Sequence, residues 1–224
     1  MDFISDILEP HSELIGKLAG TITSLQMLSG VFLLLDIRKK GSAEKFPVGP
    51  FLGGVVLSIL GLKYASILND SNMYNVNLLG MVVNAVYLSG FIYYTPAHLR
   101  GNIYSGLGKC VGFSLLVLAY ASVENKDVIE FRFGMILTGI LLFLVGMPLL
   151  EIPQIIKKQC TEGMPFPIIL SGFAVSAAWM LYGFSTRNPV FVMQNGILTV
   201  ITGFQLSLFA MYPNTPPSAG KKQN

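Results

Sequence analysis

Asp70-Ser-Asn-Met-Tyr-Asn-Val-Asn77 finds a counterpart 118 residues later in Asn188-Pro-Val-Phe-Val-Met-Gln-Asn195. In each copy an asparagine stands seven residues after Asp70 or Asn188, inside an apolar run. The same offset carries Gly30 onto Pro148, Lys39-Lys40 onto Lys157-Lys158, Glu44 onto Glu162 and Tyr64 onto Tyr182. The register slips by three around Pro50, whose partner is Pro165, and the two units end alike at Tyr94-Thr-Pro96 and Met211-Tyr-Pro213. Apolar helices share composition, so matches among leucines mean little. Matched polar residues lift the repeat above that background.

What is repeated is a membrane unit. Hydrophobic residues make up 52% of the 224 and charged residues 12%, against roughly a quarter charged in soluble domains. A mean hydropathy of +0.61 is too apolar for one soluble core. About 20 apolar residues cross the hydrocarbon as a helix. Seven segments qualify: Leu14–Leu35, Pro50–Leu68, Met73–Tyr94, Ile103–Val123, Phe131–Ile156, Pro165–Phe184 and Val190–Tyr212. The fourth carries Lys109, near one end of the span, where it can snorkel. The expected architecture is all-α: an N-terminal segment 1–13, a first three-helix repeat 14–94, a linker helix 103–123, a second three-helix repeat 131–212 and a polar tail 213–224. One connecting helix gives both repeats the same orientation, so the two bundles are parallel, in a 3+1+3 arrangement.

Basic residues orient the bundle. One side holds Arg38, Lys39, Lys40, Lys45, Arg100, Lys109, Lys157, Lys158, Lys221 and Lys222; the other holds Lys17, Lys63, Lys126, Arg132 and Arg187. The richer side is expected in the cytosol, with the N-terminus outside and the tail inside. Cys110 and Cys160 then face the reducing side, and no disulfide is expected. The acidic start lacks the basic region of a cleaved signal peptide. A net charge of +3 gives no basic face for nucleic acid. His11 and His98 lie in separate loops, so no metal or nucleophile constellation forms, no cofactor is implied, and nothing suggests an enzyme.

Asn77 and Asn195 read as mid-helix residues of the third and seventh spans. A carboxamide in hydrocarbon is costly unless partnered, and it suits a ligand hydroxyl that both donates and accepts. One such asparagine reads as interhelical glue. Two at equivalent repeat positions favour a ligand site between the repeats. Trp179, the sole tryptophan, lies deep in the sixth span, where packing and a stacking platform are both open readings. Pro50, Pro148, Pro153 and Pro165 open or interrupt helices on one side of the membrane, where bends serve as hinges.

Met147-Pro148-Leu149, Lys158-Gln-Cys-Thr-Glu-Gly-Met-Pro165-Phe166, Trp179-Met-Leu-Tyr182-Gly183, Asn188-Pro189 and Gln194-Asn195-Gly196 form an ordered set. It resembles the SWEET (MtN3/saliva) family of sugar uniporters, an animal member in particular, across Leu14 to Pro213. The resemblance implies a pocket in which Trp179 stacks a small neutral sugar, such as glucose, while Asn77 and Asn195 bind its hydroxyls. Gly61 fills a pocket position that is often larger. It also implies a cytosolic gate of four helix prolines, matched here by Pro50, Pro148 and Pro165. Gly30 stands at the fourth position, where the family's usual proline is expected to be accepted. The outer gate falls on Tyr64, Tyr182 and Asn188, the last in place of an aspartate, and the helix-two end reads Lys63-Tyr64-Ala65. The family implies facilitative transport by alternating access at the plasma membrane, with Golgi or other endomembranes as further candidates. Homo-oligomerisation is left open. The rival reading is a proton-coupled PQ-loop-type transporter of amino acids or another small metabolite, with Pro153-Gln154 as its signature and Glu151 as its proton site. A seven-helix receptor shares the outward N-terminus, but the seventh span has no lysine for retinal and the repeat has no role there.

Overall fold

The computed structural model describes residues 2–146, 152–162 and 164–214. Its helices are α1 (Asp2–Leu8), α2 (Ser12–Leu28), α3 (Gly30–Lys40), α4 (Gly49–Leu68), α5 (Ser71–Tyr94), α6 (Ala97–Val123), α7 (Lys126–Gly146), α8 (Ile152–Lys158), α9 (Phe166–Ser185) and α10 (Pro189–Met211), with a 3-10 turn at Glu9–His11. Seven helical stretches are long and apolar enough to cross a bilayer. Large apolar side chains such as Leu116, Phe143 and Val200 remain exposed on them, as lipid-facing positions require.

The first span runs from Phe3 to Lys40, much longer than the predicted Leu14–Leu35. Residues 2–11 are helical rather than a free segment, and α1 packs on α9. Asp2, Asp6 and Glu9 make this stretch look too polar for a helix in a bundle. Asp6 and Glu9 are in fact taken up by Arg187, at 2.5 and 2.8 Å. The linker helix starts at Ala97, not Ile103, which places Lys109 thirteenth in a 27-residue helix instead of near an end. The fifth span is helical to Gly146 and resumes as α8. Pro148 and Glu151 lie outside the described residues.

The repeat is visible in the small joints. Asp70 and Asn188 occupy the same place, each capping a helix by accepting from the backbone N–H three residues on, at 3.0 Å. The Ala43 N–H donates to the Tyr94 carbonyl and the Thr161 N–H to the Pro213 carbonyl, both at 3.0 Å. These clasps fasten a loop to the end of the third helix within each repeat. At the first loop Gly41 adopts φ +70°, the left-handed turn that ends α3 behind Arg38, Lys39 and Lys40.

Packing between the repeats is lopsided. On the N-terminal side, α2 packs on α9 and α4 on α7. They share one core that includes Tyr64, Phe133, Trp179, Tyr182 and Phe191. On the tail side the cores separate. Ile37, Phe51, Tyr87 and Phe91 belong to the first repeat, and Ile152, Ile155 and Leu208 to the second. The second half of the first span, α3, packs on α5 of its own repeat. The linker helix packs on α4.

Candidate functional site

A cavity of about 410 Å³ lies where the two repeats meet, within the range of small-molecule sites, roughly 300–1,000 Å³. Asn77, Asn195, Trp179 and Gly61 all line it, so the four predicted binding residues come together. The asparagines are the seventh residues of α5 and α10, about 10 Å from the helix starts at 1.5 Å per residue. That is nearer the N-terminal side than the expected midpoint. Asn77 Nδ2 donates to Met73 O at 2.9 Å and Asn195 Nδ2 to Phe191 O at 3.0 Å. Each bond lies within its own helix. Neither amide bonds another helix among the described residues, so the interhelical-glue reading finds no support. In each, the oxygen and one N–H make no hydrogen bond among the described residues.

Trp179 is pinned. Its Nε1 donates to Thr23 Oγ1 at 2.9 Å, and Tyr182 meets it edge-on with centroids 5.4 Å apart. The offset of 118 places Gly61 at the position equivalent to Trp179. A Cβ on Gly61 would lie 2.6 Å from Asn77 Cγ, so the Asn77 amide occupies the space a side chain would need there. The cavity therefore has an aromatic wall on one repeat and a carboxamide seated on bare backbone on the other.

Sequence reasoning missed Thr23, Gln26, Asn84, Gln194 and Thr202, which also line the cavity. Thr138 Oγ1 donates to Gln194 Oε1 at 2.8 Å, orienting that amide from α7. The offset that pairs Asn77 with Asn195 also pairs Ser58 with Ser176 and Asn84 with Thr202. That offset could have found Asn84 and Thr202, whereas Thr23, Gln26 and Gln194 map onto Leu141, Leu144 and Val76 and carry no such signal. Among the described residues the lining holds no Asp, Glu, Lys, Arg or His.

On the N-terminal side two related contacts join the repeats. Tyr182 of α9 crosses to the first repeat, where its Oη donates to Asp70 Oδ2 at 2.8 Å. Its ring lies 2.7 Å from where a Cβ on Gly16 would be. Tyr64 of α4 crosses to the second repeat and stacks on Phe133, with centroids 6.1 Å apart. Its Oη lies 2.5 Å from where a Cβ on Gly134 would be. Gly16 and Gly134 are again 118 residues apart. The two halves differ in polarity: the Tyr182 hydroxyl meets a carboxylate, whereas the buried Tyr64 hydroxyl finds no hydrogen-bond partner of normal geometry among the described residues. Asn188, buried at the start of α10, caps its helix.

The residues expected to form the tail-side gate fall differently. Pro50 is the second residue of α4 and Pro165 immediately precedes α9, positions where proline starts a helix without breaking its ladder. The first span is interrupted between α2 and α3, at Ser29, next to Gly30. A Cβ on Gly30 would run into the Tyr87 ring, lying 2.9 Å from its Cδ2. A side chain at residue 30, proline included, therefore requires that tyrosine to move.

One family pattern, described as "Sugar efflux transporter for intercellular exchange", matches the chain twice, over residues 13–99 and 131–217. The two matches begin and end 118 residues apart. The chain belongs to the SWEET, or MtN3/saliva, family. Among SWEET relatives, "Bidirectional sugar transporter SWEET17" of Arabidopsis thaliana is 25% identical over 91% of this chain and 86% of its own length. "Sugar transporter SWEET1" of Drosophila pseudoobscura pseudoobscura is 28% identical over 90% and 89%. "Sugar transporter SWEET1" of Homo sapiens is 26% identical over 87% and 89%. A solved structure of a eukaryotic SWEET transporter superposes with a TM-score of 0.78 at 25% identity, covering 89% of this chain and 97% of that one. The SWEET family is one of transporters, not enzymes, and the 3+1+3 arrangement is its fold.

Proposed function

We propose that this SWEET protein equilibrates a small neutral sugar across a membrane, a monosaccharide such as glucose, by alternating access and without an ion gradient. The observation that carries the reading is the pinned Trp179 facing Asn77 and Asn195 between the repeats. An indole offers the apolar face of a pyranose a flat surface, and the two amides match its hydroxyls. The cavity is joined by a shared core on the N-terminal side and flanked by separate cores on the tail side. This is the asymmetry expected of one end state of a rocking cycle. With the N-terminus outside, the state is inward-open. No titratable side chain lines the cavity among the described residues, which supports uniport over the proton-coupled alternative, and the names of the plant and animal relatives support sugar as the cargo.

The test is uptake of radiolabelled glucose into liposomes, with and without a proton gradient. Uptake that equilibrates glucose and ignores the gradient is expected. Uptake that collapses with the gradient would sink the uniport reading and turn attention to Glu151. Transport of an amino acid with no sugar flux would favour the PQ-loop alternative.

A further inference from the structure

We propose that the cavity contains a second hydroxyl-binding station, on the tail side of Asn77 and Asn195, that takes the second ring of a disaccharide. The inference rests on the sugar reading above and extends it to ligand length. It follows from the register of α4 against α5. Those helices run antiparallel, with Gly61 facing Asn77, Ser58 facing Gly80 and Gly54 facing Asn84. A Cβ on Gly61 would lie 2.6 Å from Asn77 Cγ, and a Cβ on Gly54 would lie 2.7 Å from Asn84 Cγ. Between them, a Cβ on Gly80 would lie 3.0 Å from Ser58 Oγ. The first repeat thus carries the same device twice: a carboxamide on α5 seated over bare backbone of α4. The copies are seven residues apart, about 10 Å along a helix.

The two amides are held alike. Asn84 Nδ2 donates to Gly80 O at 2.8 Å, as Asn77 Nδ2 donates to Met73 O at 2.9 Å. The Asn84 oxygen, lying against the backbone at Gly54, and its second N–H make no hydrogen bond among the described residues, and the amide makes no bond to another helix there. A purely structural asparagine would spend those groups on a neighbour. Both asparagines line the same cavity.

The second repeat completes the lower station. The offset of 118 maps Gly54 onto Gly172 and Asn84 onto Thr202, and both partners line the cavity. Thr202 Oγ1 donates to Leu198 O at 2.7 Å, which leaves its lone pairs able to accept. Gln26 stands close by, its Nε2 lying 3.9 Å from where a Cβ on Gly172 would be. The upper station pairs Gly61 with Trp179; the lower pairs Gly54 with Gly172. Among the described residues the lower station has no aromatic wall, and polar groups line both of its sides. A ring there is held by its hydroxyls, while the first ring stacks above it. Asn84 is fourteenth in α5 and Thr202 fourteenth in α10, so this station, not the upper one, lies at mid-helix.

The experiment measures binding of glucose and of its disaccharide maltose to full-length protein in lipid nanodiscs. Wild type, Asn84→Leu and Thr202→Val are compared, each checked for folding by thermal melting. Wild type is expected to bind both sugars. Asn84→Leu is expected to weaken maltose roughly tenfold more than glucose, the effect of one lost hydroxyl partner. Equal weakening of both sugars, unchanged maltose binding, or a wild type that binds glucose and rejects maltose would each overturn the lower station while leaving the sugar reading intact. A wild type that binds neither sugar overturns both. Should Asn84→Leu fail to fold, Thr202→Val carries the same comparison by removing one oxygen at nearly constant shape.

Discussion

The Tyr87 hydroxyl donates to the Met27 carbonyl at 3.0 Å while its ring covers the bare backbone of Gly30. One side chain thus satisfies a carbonyl at the end of α2 and fills the space beside the start of α3. Overpacking a closed contact costs about 1–3 kcal/mol. Gly30→Pro and Gly30→Leu should both lower the initial uptake rate, normalised to membrane protein. Adding Tyr87→Leu should restore much of the loss in Gly30→Pro. A fully active Gly30→Pro single variant would show that Tyr87 does not hold this break.

Asn77→Ala and Asn195→Ala should each remove most transport while leaving folded protein. Each loses hydroxyl partners in a desolvated site, at about 1–3 kcal/mol per partner, which is roughly tenfold or more in affinity. The intrahelical bonds they also lose are replaceable by water, so melting temperatures should change little. Normal uptake by either variant removes that residue from the site.

Thr23→Val leaves the indole N–H of Trp179 without its acceptor. A buried donor without a partner costs about 1–3 kcal/mol, so the ring should tilt and sugar affinity should fall about fivefold or more. Because the chain has one tryptophan, its fluorescence reports on this site alone. The emission spectrum should shift in Thr23→Val before any sugar is added. An unchanged spectrum with unchanged affinity would mean that Thr23 does not position the ring.

Gly16 and Gly134 seat the two tyrosines that join the repeats on the N-terminal side. Gly134→Val should hold Tyr64 off the second repeat and favour the state open on that side. Cysteines placed near the cavity should then react faster with an impermeant thiol reagent added from the N-terminal side. Reactivity equal to that of the parent protein would place the seal elsewhere.

The Tyr120 hydroxyl at 2.5 Å, and then the Arg132 guanidinium at 2.7 Å, hold the Glu124 carboxylate down at about 2, from an ordinary 4.5. Its folded value is depressed, so its stabilisation is complete above about 4.5 and is lost as pH falls from there towards 2. Melting temperature should decline across that window in wild type. The decline should be shallower in Glu124→Gln, and identical profiles would dismiss the cluster as a source of acid sensitivity.

The chain's polar exceptions made much of this readable. Asn77, Trp179 and Asn195 stand out because apolar spans tolerate few such residues, and the spacing of 118 identified their kinship. Gly54 beneath Asn84 was not readable, because it depends on how α4 and α5 slide against each other. The helical start was hidden by Asp6 and Glu9, whose partner Arg187 lies far along the chain. The prolines were readable for a simpler reason: the expected spans open at Pro50 and Pro165, and the backbone starts its helices there.

The clasps from Ala43 to Tyr94 and from Thr161 to Pro213 bear on how the protein is made. Each is closed by residues of one repeat, and the linker helix lies against α4, synthesised before it. The first four spans can therefore fasten themselves while the ribosome is still translating the fifth. The nascent chain reaches the membrane as a finished half awaiting its twin, and the turn at Glu124–Asn125 is the natural place to cut the gene in two and recover a working pair by co-expression.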